Sequence, residues 1–250
     1  MIILKSPEEI EKMRRAGRIV AATIDGVLKA IRPGIPTREL DEVAEKVILD
    51  AGATPSFKGY RGFPASICVS VNEQVVHGIP GDRRLRPGDV LSLDFGAIWD
   101  GYHADSAVTV FVGDPPGAEA EKLVRVTEEA LEAGISQIRA GNRLSDIGHA
   151  VQQVVEGAGL SVVREYVGHG IGRSLHEDPQ IPNYGQPGRG PEIKPGLVVA
   201  VEPMVNVGDW PTRVLNDNWT VVTADGSLSA HFEHTIAVTD DGPEVLTARS

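Results

Sequence analysis

VLSLDFGAIWDGYHADSAVTV, Val90 to Val110, is the stretch whose reading decides the fold. Two runs rich in apolar and β-branched residues flank Asp100-Gly101, a dipeptide that strongly marks a tight hairpin turn. The stretch therefore predicts a β-hairpin in which Asp94 on the outgoing strand falls opposite or nearly opposite Asp105 on the returning one. Facing residues on one sheet face have Cβ atoms roughly 5 Å apart, and like charges there destabilise the pair. Two such aspartates need either a shared proton or a cation between them.

Upstream, Ser6-Pro7-Glu8-Glu9 reads as a helix start, with Ser6 as cap, Pro7 at the first helical position and Glu9 completing a capping box. Apolar residues keep helical spacing from Ile10 to Ile31, until Pro33-Gly34 ends the run. A second helix is predicted from near Thr37 to Gly52, then a Gly/aromatic loop from Phe57 to Pro64, a strand from Ser66 to Val71 and a loop from Asn72 to Asp89. Downstream, helices are predicted from about Ala118 to Arg139 and from about Ser145 to Ala158, with strands and loops after them.

The two halves resemble each other. Ile31-Arg32-Pro33-Gly34 aligns with Ile138-Arg139-Ala140-Gly141, and the stretch Arg86-Pro87-Gly88 to Asp94 aligns with Lys194-Pro195-Gly196 to Glu202. The offsets are nearly equal, 107 (31 to 138) and 108 (86 to 194). This implies an α+β fold with pseudo-two-fold duplicated helix-helix-strand halves, roughly 5–112 and 117–240, around a central antiparallel sheet, within one domain spanning 1–250. It also maps Asp94 onto Glu202, so a two-fold axis between them brings both to one central site.

Composition bounds the function. A net charge of −11 argues against a surface built for DNA or an anionic membrane, and Arg83, Arg84 and Arg86 read as a solvated loop. The single cysteine, Cys68, excludes an internal disulfide framework and suits a reducing compartment. The N-terminal sequence lacks a signal-peptide layout, and no apolar run approaches the ~20 residues of a membrane span. The expectation is a cytoplasmic protein.

Acidic residues recur inside apolar strand patterns four times: Asp94, Asp105, Glu202 and Glu233. Carboxylates are seldom buried unpaired, and no Lys or Arg stands next to any of these four. His169 stands between Gly168 and Gly170, where little side-chain bulk hinders access to its ring; His77 and His176 are further candidates. One histidine with four carboxylates suits two divalent ions sharing carboxylates, and this donor set allows Mn, Fe(II), Co or Zn.

Asp94, Asp105, His169, Glu202 and Glu233, in this order, resemble the five metal ligands of the methionine aminopeptidases, which have the pita-bread fold. The run Tyr166-x-Gly168-His169-Gly170-Ile171-Gly172, with His176, Ile181, Asn183 and Tyr184 following, is similar to the signature of their type I enzymes. The resemblance covers almost the whole chain and implies a minimal bacterial type I enzyme, without an N-terminal zinc-binding extension or a long insertion between His169 and Glu202.

The resemblance implies the roles. Asp94 would hold one ion, His169 and Glu202 the other, with Asp105 and Glu233 bridging, and a hydroxide between the ions would attack the scissile carbonyl. Glu202 would shuttle the proton, His176 would polarise the carbonyl, and His77 would contact the scissile amide nitrogen or the intermediate. Tyr60, Phe63, Cys68 and Trp219 would line the methionine pocket. The implied substrates are nascent polypeptide N-termini and Met-peptides, preferably with a small second residue, met by a monomer with transient ribosome contact. Two positions depart from the family pattern: Gly96 stands where many members carry a threonine, and Leu175 where a phenylalanine is common. The first removes a hydroxyl from the ligand surroundings and the second widens the entrance beside the second substrate residue. The rivals are a proline-specific or creatinase-like hydrolase of the same fold, and a relative without catalysis that serves as a binding module.

Overall fold

The computed structural model describes residues 1–249. Helix α1 (Pro7–Ala30) begins as its sequence dictates. The Ser6 hydroxyl accepts from the Glu9 N–H and the Glu9 carboxylate accepts from the Ser6 N–H, satisfying two free donors of the helix start reciprocally. Its buried face, including Met13, Ala16, Val20, Ile24 and Val27, follows helical spacing. At Gly17 the helix approaches the Leu246 backbone so closely that any Cβ would collide with that carbonyl oxygen. Helix α2 (Thr37–Asp50) packs on α1 and gives way at Gly52, whose φ of 73° is left-handed.

The first half continues through β1 (Thr54–Pro55), β2 (Ile67–Val71), β3 (Gln74–Val76), β4 (Val90–Trp99) and β5 (Tyr102–Phe111). The opening hairpin is β4–β5, and Asp100 and Gly101 both have positive φ, 48° and 78°, as the primed turn that matches strand twist requires. That turn pairs Trp99 with Tyr102, which sets every later pair: Asp94 lies opposite Ala107, and Asp105 opposite Gly96. The expected near-opposition of Asp94 and Asp105 is thereby corrected to a diagonal, two residues apart in register. Because strand side chains alternate with period two, both carboxylates still share one face. β2 flanks β4 on its other edge, antiparallel, with Cys68 opposite Asp94. The segment Asn72 to Asp89 is a loop except for β3, three residues recruited by pairing with a distant strand, a contact that local pattern does not encode. Arg83, Arg84 and Arg86 are exposed there.

The second half holds α3 (Ala118–Ser136) and α4 (Leu144–Gly157), then β6 (Ser161–Val162), β7 (Gly168–Gly170), β8 (Glu177–Ile181), β9 (Val198–Val201) and β10 (Met204–Asn206). It closes with β11 (Thr212–Val214), β12 (Val221–Thr223), β13 (Ser229–His231), β14 (His234–Thr239) and β15 (Gly242–Val245). A helix pair again precedes a set of three strands whose middle member leads to an acidic residue: β2-β4-β5 with Asp94 in one half, β7-β9-β14 with Glu202 in the other.

The halves meet where β5 runs against residues 231–235. Glu233 N–H donates to the Ala107 carbonyl at 2.9 Å and Ala107 N–H to the Glu233 carbonyl at 3.2 Å. The Thr109 hydroxyl adds a bond to the His231 carbonyl at 2.7 Å. One apolar cluster spans the junction, taking Ile24, Leu93 and Phe95 from one half and Ile181, Val199 and Val201 from the other. Full burial of side chains of this size is worth about 1.5–3 kcal/mol each. This cluster is what holds polar segments from the two halves against one another. Among the described residues no helix is long and apolar enough to cross a membrane.

Candidate metal centre

The hairpin supplies Asp94 and Asp105, and the junction brings Glu233 against them. β7 supplies His169, and Glu202 follows β9 directly. The glycines around His169 serve close strand approach. A Cβ on Gly168 would collide with the Ala200 carbonyl and one on Gly170 with the Asp178 carbonyl. This differs from the expectation that they keep the ring accessible, since His169 is itself buried between paired strands.

The geometry calls for a cation. His169 Nδ1 lies 2.9 Å from the Gly170 carbonyl oxygen, an acceptor only, so Nδ1 carries the hydrogen and Nε2 presents a lone pair. That Nε2 stands 3.6 Å from Asp105 Oδ2 and 3.5 Å from Glu202 Oε1, so acceptor atoms converge there beyond good hydrogen-bond distance. Asp94 Oδ1 is buried without a hydrogen-bond partner. Asp105, His169 and Glu233 each offer a ligand atom, and these atoms lie within 4.8 Å of one another. Among the described residues none of the four carboxylates pairs with Lys or Arg. A buried lone pair, an orphaned carboxylate oxygen and a donor set of carboxylates with one imidazole nitrogen fit a divalent cation.

Without a cation, the carboxyl groups resist ionisation. Burial, then the Asp105 charge, pushes Asp94 well up. Burial, then Asp105 and Asp94, does the same to Glu202, and Glu233 rises for the same reasons with Glu202 added. Asp105 rises by burial but is restrained by His169 and by the Thr235 hydroxyl, 3.1 Å from its Oδ1. The shared-proton and cation alternatives of the hairpin thus describe the empty and loaded forms of one site.

Around this centre lies a cavity of about 170 Å³ lined by all the residues singled out from sequence: Asp94, Asp105, His169, Glu202 and Glu233, with Tyr60, Phe63, Cys68, His77, His176 and Trp219. Its volume is close to the ~150 Å³ that admits a benzene-sized group, so it takes one side chain and not a folded partner. Burial, then the charge on Asp94, pushes the Cys68 thiol well up, which keeps it protonated and inert. His77 has φ 59°, a left-handed backbone for a bulky residue that costs on the order of 1 kcal/mol. Its ring stands edge-on to Tyr166 at 5.7 Å and to Trp219 at 6.2 Å, and burial lowers its pKa to about 4. The His176 ring stacks on Tyr60, shares a 2.9 Å hydrogen bond between its Nδ1 and the Tyr60 hydroxyl, and sits 4.2 Å from the His169 ring. Burial, then His169, lowers its pKa to about 3, so it is neutral at physiological pH.

The packing around both departures from the family pattern is well defined. At Gly96 the room for a side chain is filled: a Cβ there would lie 2.7 Å from Phe57 Cε1 and 2.8 Å from Ser56 Cβ. Leu175 is buried, at 3 % exposure, in an apolar cluster with Phe63 and Cys68, and it lines the cavity. Sequence reasoning missed Phe57 and Arg61 in the lining and His231, whose buried, unpartnered Nε2 is 3.9 Å from Glu202 Oε2. His231 was within reach, because period-two spacing puts it on the face of Glu233. Phe57 and Arg61 lie in a loop with no period to read.

Comparison with known proteins agrees with this geometry. The model of metallopeptidase family M24 matches residues 11–240. Methionine aminopeptidase 1 of Bacillus subtilis is 58% identical over 247 residues, covering 99% of both chains. The crystal structure of a methionine aminopeptidase from Thermotoga maritima superposes with a TM-score of 0.97 at 48% identity, covering 100% of each chain. A prolidase from Pyrococcus furiosus, at 22% identity and TM-score 0.80 over 99% of this chain and 66% of its own, shares the fold.

Proposed function

The chain belongs to metallopeptidase family M24, and we propose that it is a metal-dependent aminopeptidase that removes the initiator methionine from nascent proteins and peptides. The observation that carries this reading is the convergence, in one cavity, of an unpaired carboxylate–imidazole cluster with an apolar wall sized for one side chain. The pita-bread arrangement of two duplicated halves, here roughly 5–112 and 117–240 of a single catalytic unit 1–250, explains why each half contributes donors.

In this reading Asp94, Asp105, His169, Glu202 and Glu233 would together hold two divalent ions, and Mn, Fe(II), Co and Zn all suit the donor set. When bound, the ions supply an acidified water and a polarised scissile carbonyl. Glu202, partly buried in the cluster, takes the proton from the attacking water and returns it to the leaving amine. The role assigned to His176 requires the Tyr60 hydroxyl to donate to its Nδ1, 2.9 Å away, leaving the ring hydrogen on Nε2 to donate to the developing oxyanion. His77, neutral and braced by Tyr166 and Trp219, meets the scissile amide nitrogen or the intermediate. Tyr60, Phe63, Cys68 and Trp219 enclose the methionine side chain, and a closed wall at Leu175 supports a preference for a small second residue. A reducing cytoplasm is a setting that a lone buried cysteine suits, and the proposal places there a monomer with transient contact to the ribosome as chains emerge.

The test is metal analysis of anaerobically purified protein beside release of methionine from Met-Ala-Ser and of the first residue from X-Pro peptides. Methionine release with bound metal supports the proposal. Preference for X-Pro peptides, or metal binding without release of any N-terminal methionine, overturns it.

A further inference from the structure

Lysine is rarely buried, yet the Lys5 side chain is 3% exposed and its ammonium lies 2.7 Å from Glu177 Oε2, with a second bond of 3.0 Å to the Ile3 carbonyl. Glu177 is 10% exposed and uses its other oxygen, Oε1, to accept from the Ser174 N–H at 3.1 Å. It is also the first residue of β8 and follows His176 directly. The hairpin loop from Ile171 to His176 therefore has one carboxylate anchoring its inside, and that carboxylate is held by a cation from the opposite end of the chain. The segment before α1 is itself fixed, since Lys5 N–H donates to the Gly196 carbonyl at 2.7 Å. Room for the pair exists only because residue 172 is glycine, where a Cβ would lie 2.6 Å from Lys5 Cε and 2.7 Å from Glu177 Oε1.

We propose that Lys5 is a positioning residue for catalysis: through Glu177 it orders the 171–176 loop and so fixes the His176 ring against the metal centre. Apart from this anchor, the His176 side chain has the Tyr60 ring and hydroxyl and the His169 ring to direct it. The two oxygens of Glu177 divide the work. One faces the ammonium, the other faces the loop, so losing the ammonium frees a buried carboxylate to turn toward water and release Ser174. The inference rests on the role of His176 proposed above.

The experiment compares Lys5→Met, Lys5→Met/Glu177→Gln and Lys5→Met/Glu177→Ala in the metal-loaded enzyme, with Lys46→Met, an exposed pair to Asp50, as control. Misplacing a catalytic group through its supports typically costs about 10- to 100-fold. Lys5→Met should therefore lose about that factor in kcat with KM and metal stoichiometry unchanged. The Gln double variant keeps an acceptor for Ser174 without a stranded charge and should recover to within about threefold of the parent, while the Ala double variant should not. Amide hydrogen exchange at Ser174 should speed up in Lys5→Met and in the Ala double variant only. If Lys5→Met does not fold, the two double variants, which bury no lone charge, decide the matter by themselves. Equal kcat in both double variants, or exchange at Ser174 that ignores them, overturns the inference. His176→Ala separates the two readings: retained activity there removes the role of His176, whereas Ser174 exchange still reports on the anchor.

Discussion

Threonine at residue 96 is the substitution that most directly tests the packing around the centre. Gly96 lies opposite Asp105 in the hairpin, and its hypothetical Cβ would sit 2.7 Å from Phe57 Cε1 and 2.8 Å from Ser56 Cβ. Carbon atoms pack best at about 3.5–4.0 Å, so the Phe57 ring must retreat by about 1 Å before the threonine methyl and hydroxyl are counted. It has little freedom to do so, because Phe57 is buried among Phe63, Cys68 and Leu175. Forcing extra atoms into a packed interior costs about 1–3 kcal/mol. Against this, replacing glycine restricts the unfolded chain and returns about 0.4–1 kcal/mol. In a protein of this length each kcal/mol moves the unfolding midpoint by about 2–4 °C. The net cost is about 0–2.6 kcal/mol, so Gly96→Thr should lower the midpoint of the metal-free protein, followed by circular dichroism, by no more than about 10 °C. Combining it with Phe57→Leu, which vacates the ring's place, should make the two changes non-additive, with the double variant more stable than the sum of the singles implies. A threonine variant that melts above the parent, or strictly additive effects, would refute the claim that Phe57 occupies the space the side chain needs.

Three further outcomes follow from the site and from one surface pair. Asp105→Asn should abolish methionine release and reduce bound metal toward one ion or none by elemental analysis; full activity in this variant would end the two-ion reading. Adding metal at about a hundredfold its dissociation constant stabilises the native state by about 2.7 kcal/mol, so the midpoint should rise by about 5–11 °C over chelator-treated protein, and Asp105→Asn should lose most of that rise. Glu244 is held below the usual carboxylate range, chiefly by its hydrogen bond from Arg14 at 2.6 Å. Its contribution is therefore present above the unfolded-state carboxylate pKa and lost as pH falls through the lowered folded value. The pair is partly solvent-exposed, so Arg14→Gln should cost under about 1 kcal/mol at neutral pH and nothing below the carboxylate range, as thermal melts at the two pH values would show.

The readable features of the sequence were those with a local period or a local cap. The Ser6–Glu9 box, the Asp100-Gly101 turn and the alternating strands each depend on interactions within a few residues, and each formed where expected. The exact register of Asp94 and Asp105 was derivable as well, since the turn fixes every pair from Trp99–Tyr102 outward. Residues held by distant partners were another matter. β3 exists because β12 pairs with it, and the glycines around His169 are imposed by the carbonyls of Ala200 and Asp178. Phe57 reaches the cavity from an aperiodic loop, and its place beside Gly96 could not be read from either position alone.

The same division explains how metal and fold depend on each other. Asp94 and Asp105 are brought together by a short hairpin, but Glu233 reaches them only through the reciprocal backbone bonds to Ala107 that join the halves. Formation of that junction brings the third and fourth carboxyl groups into a buried space that has no Lys or Arg partner for them. Each carboxyl is pushed toward its protonated form by burial and by the others, so the charged, empty site opposes closure of the halves at neutral pH. A divalent cation removes that opposition only when both halves are docked, because the donors come from both. The apolar cluster across the junction closes the fold against the repulsion, and the cation then finds its donors already in place. Binding and docking of the halves are therefore linked: metal that stabilises the site must also strengthen the seam between β5 and residues 231–235.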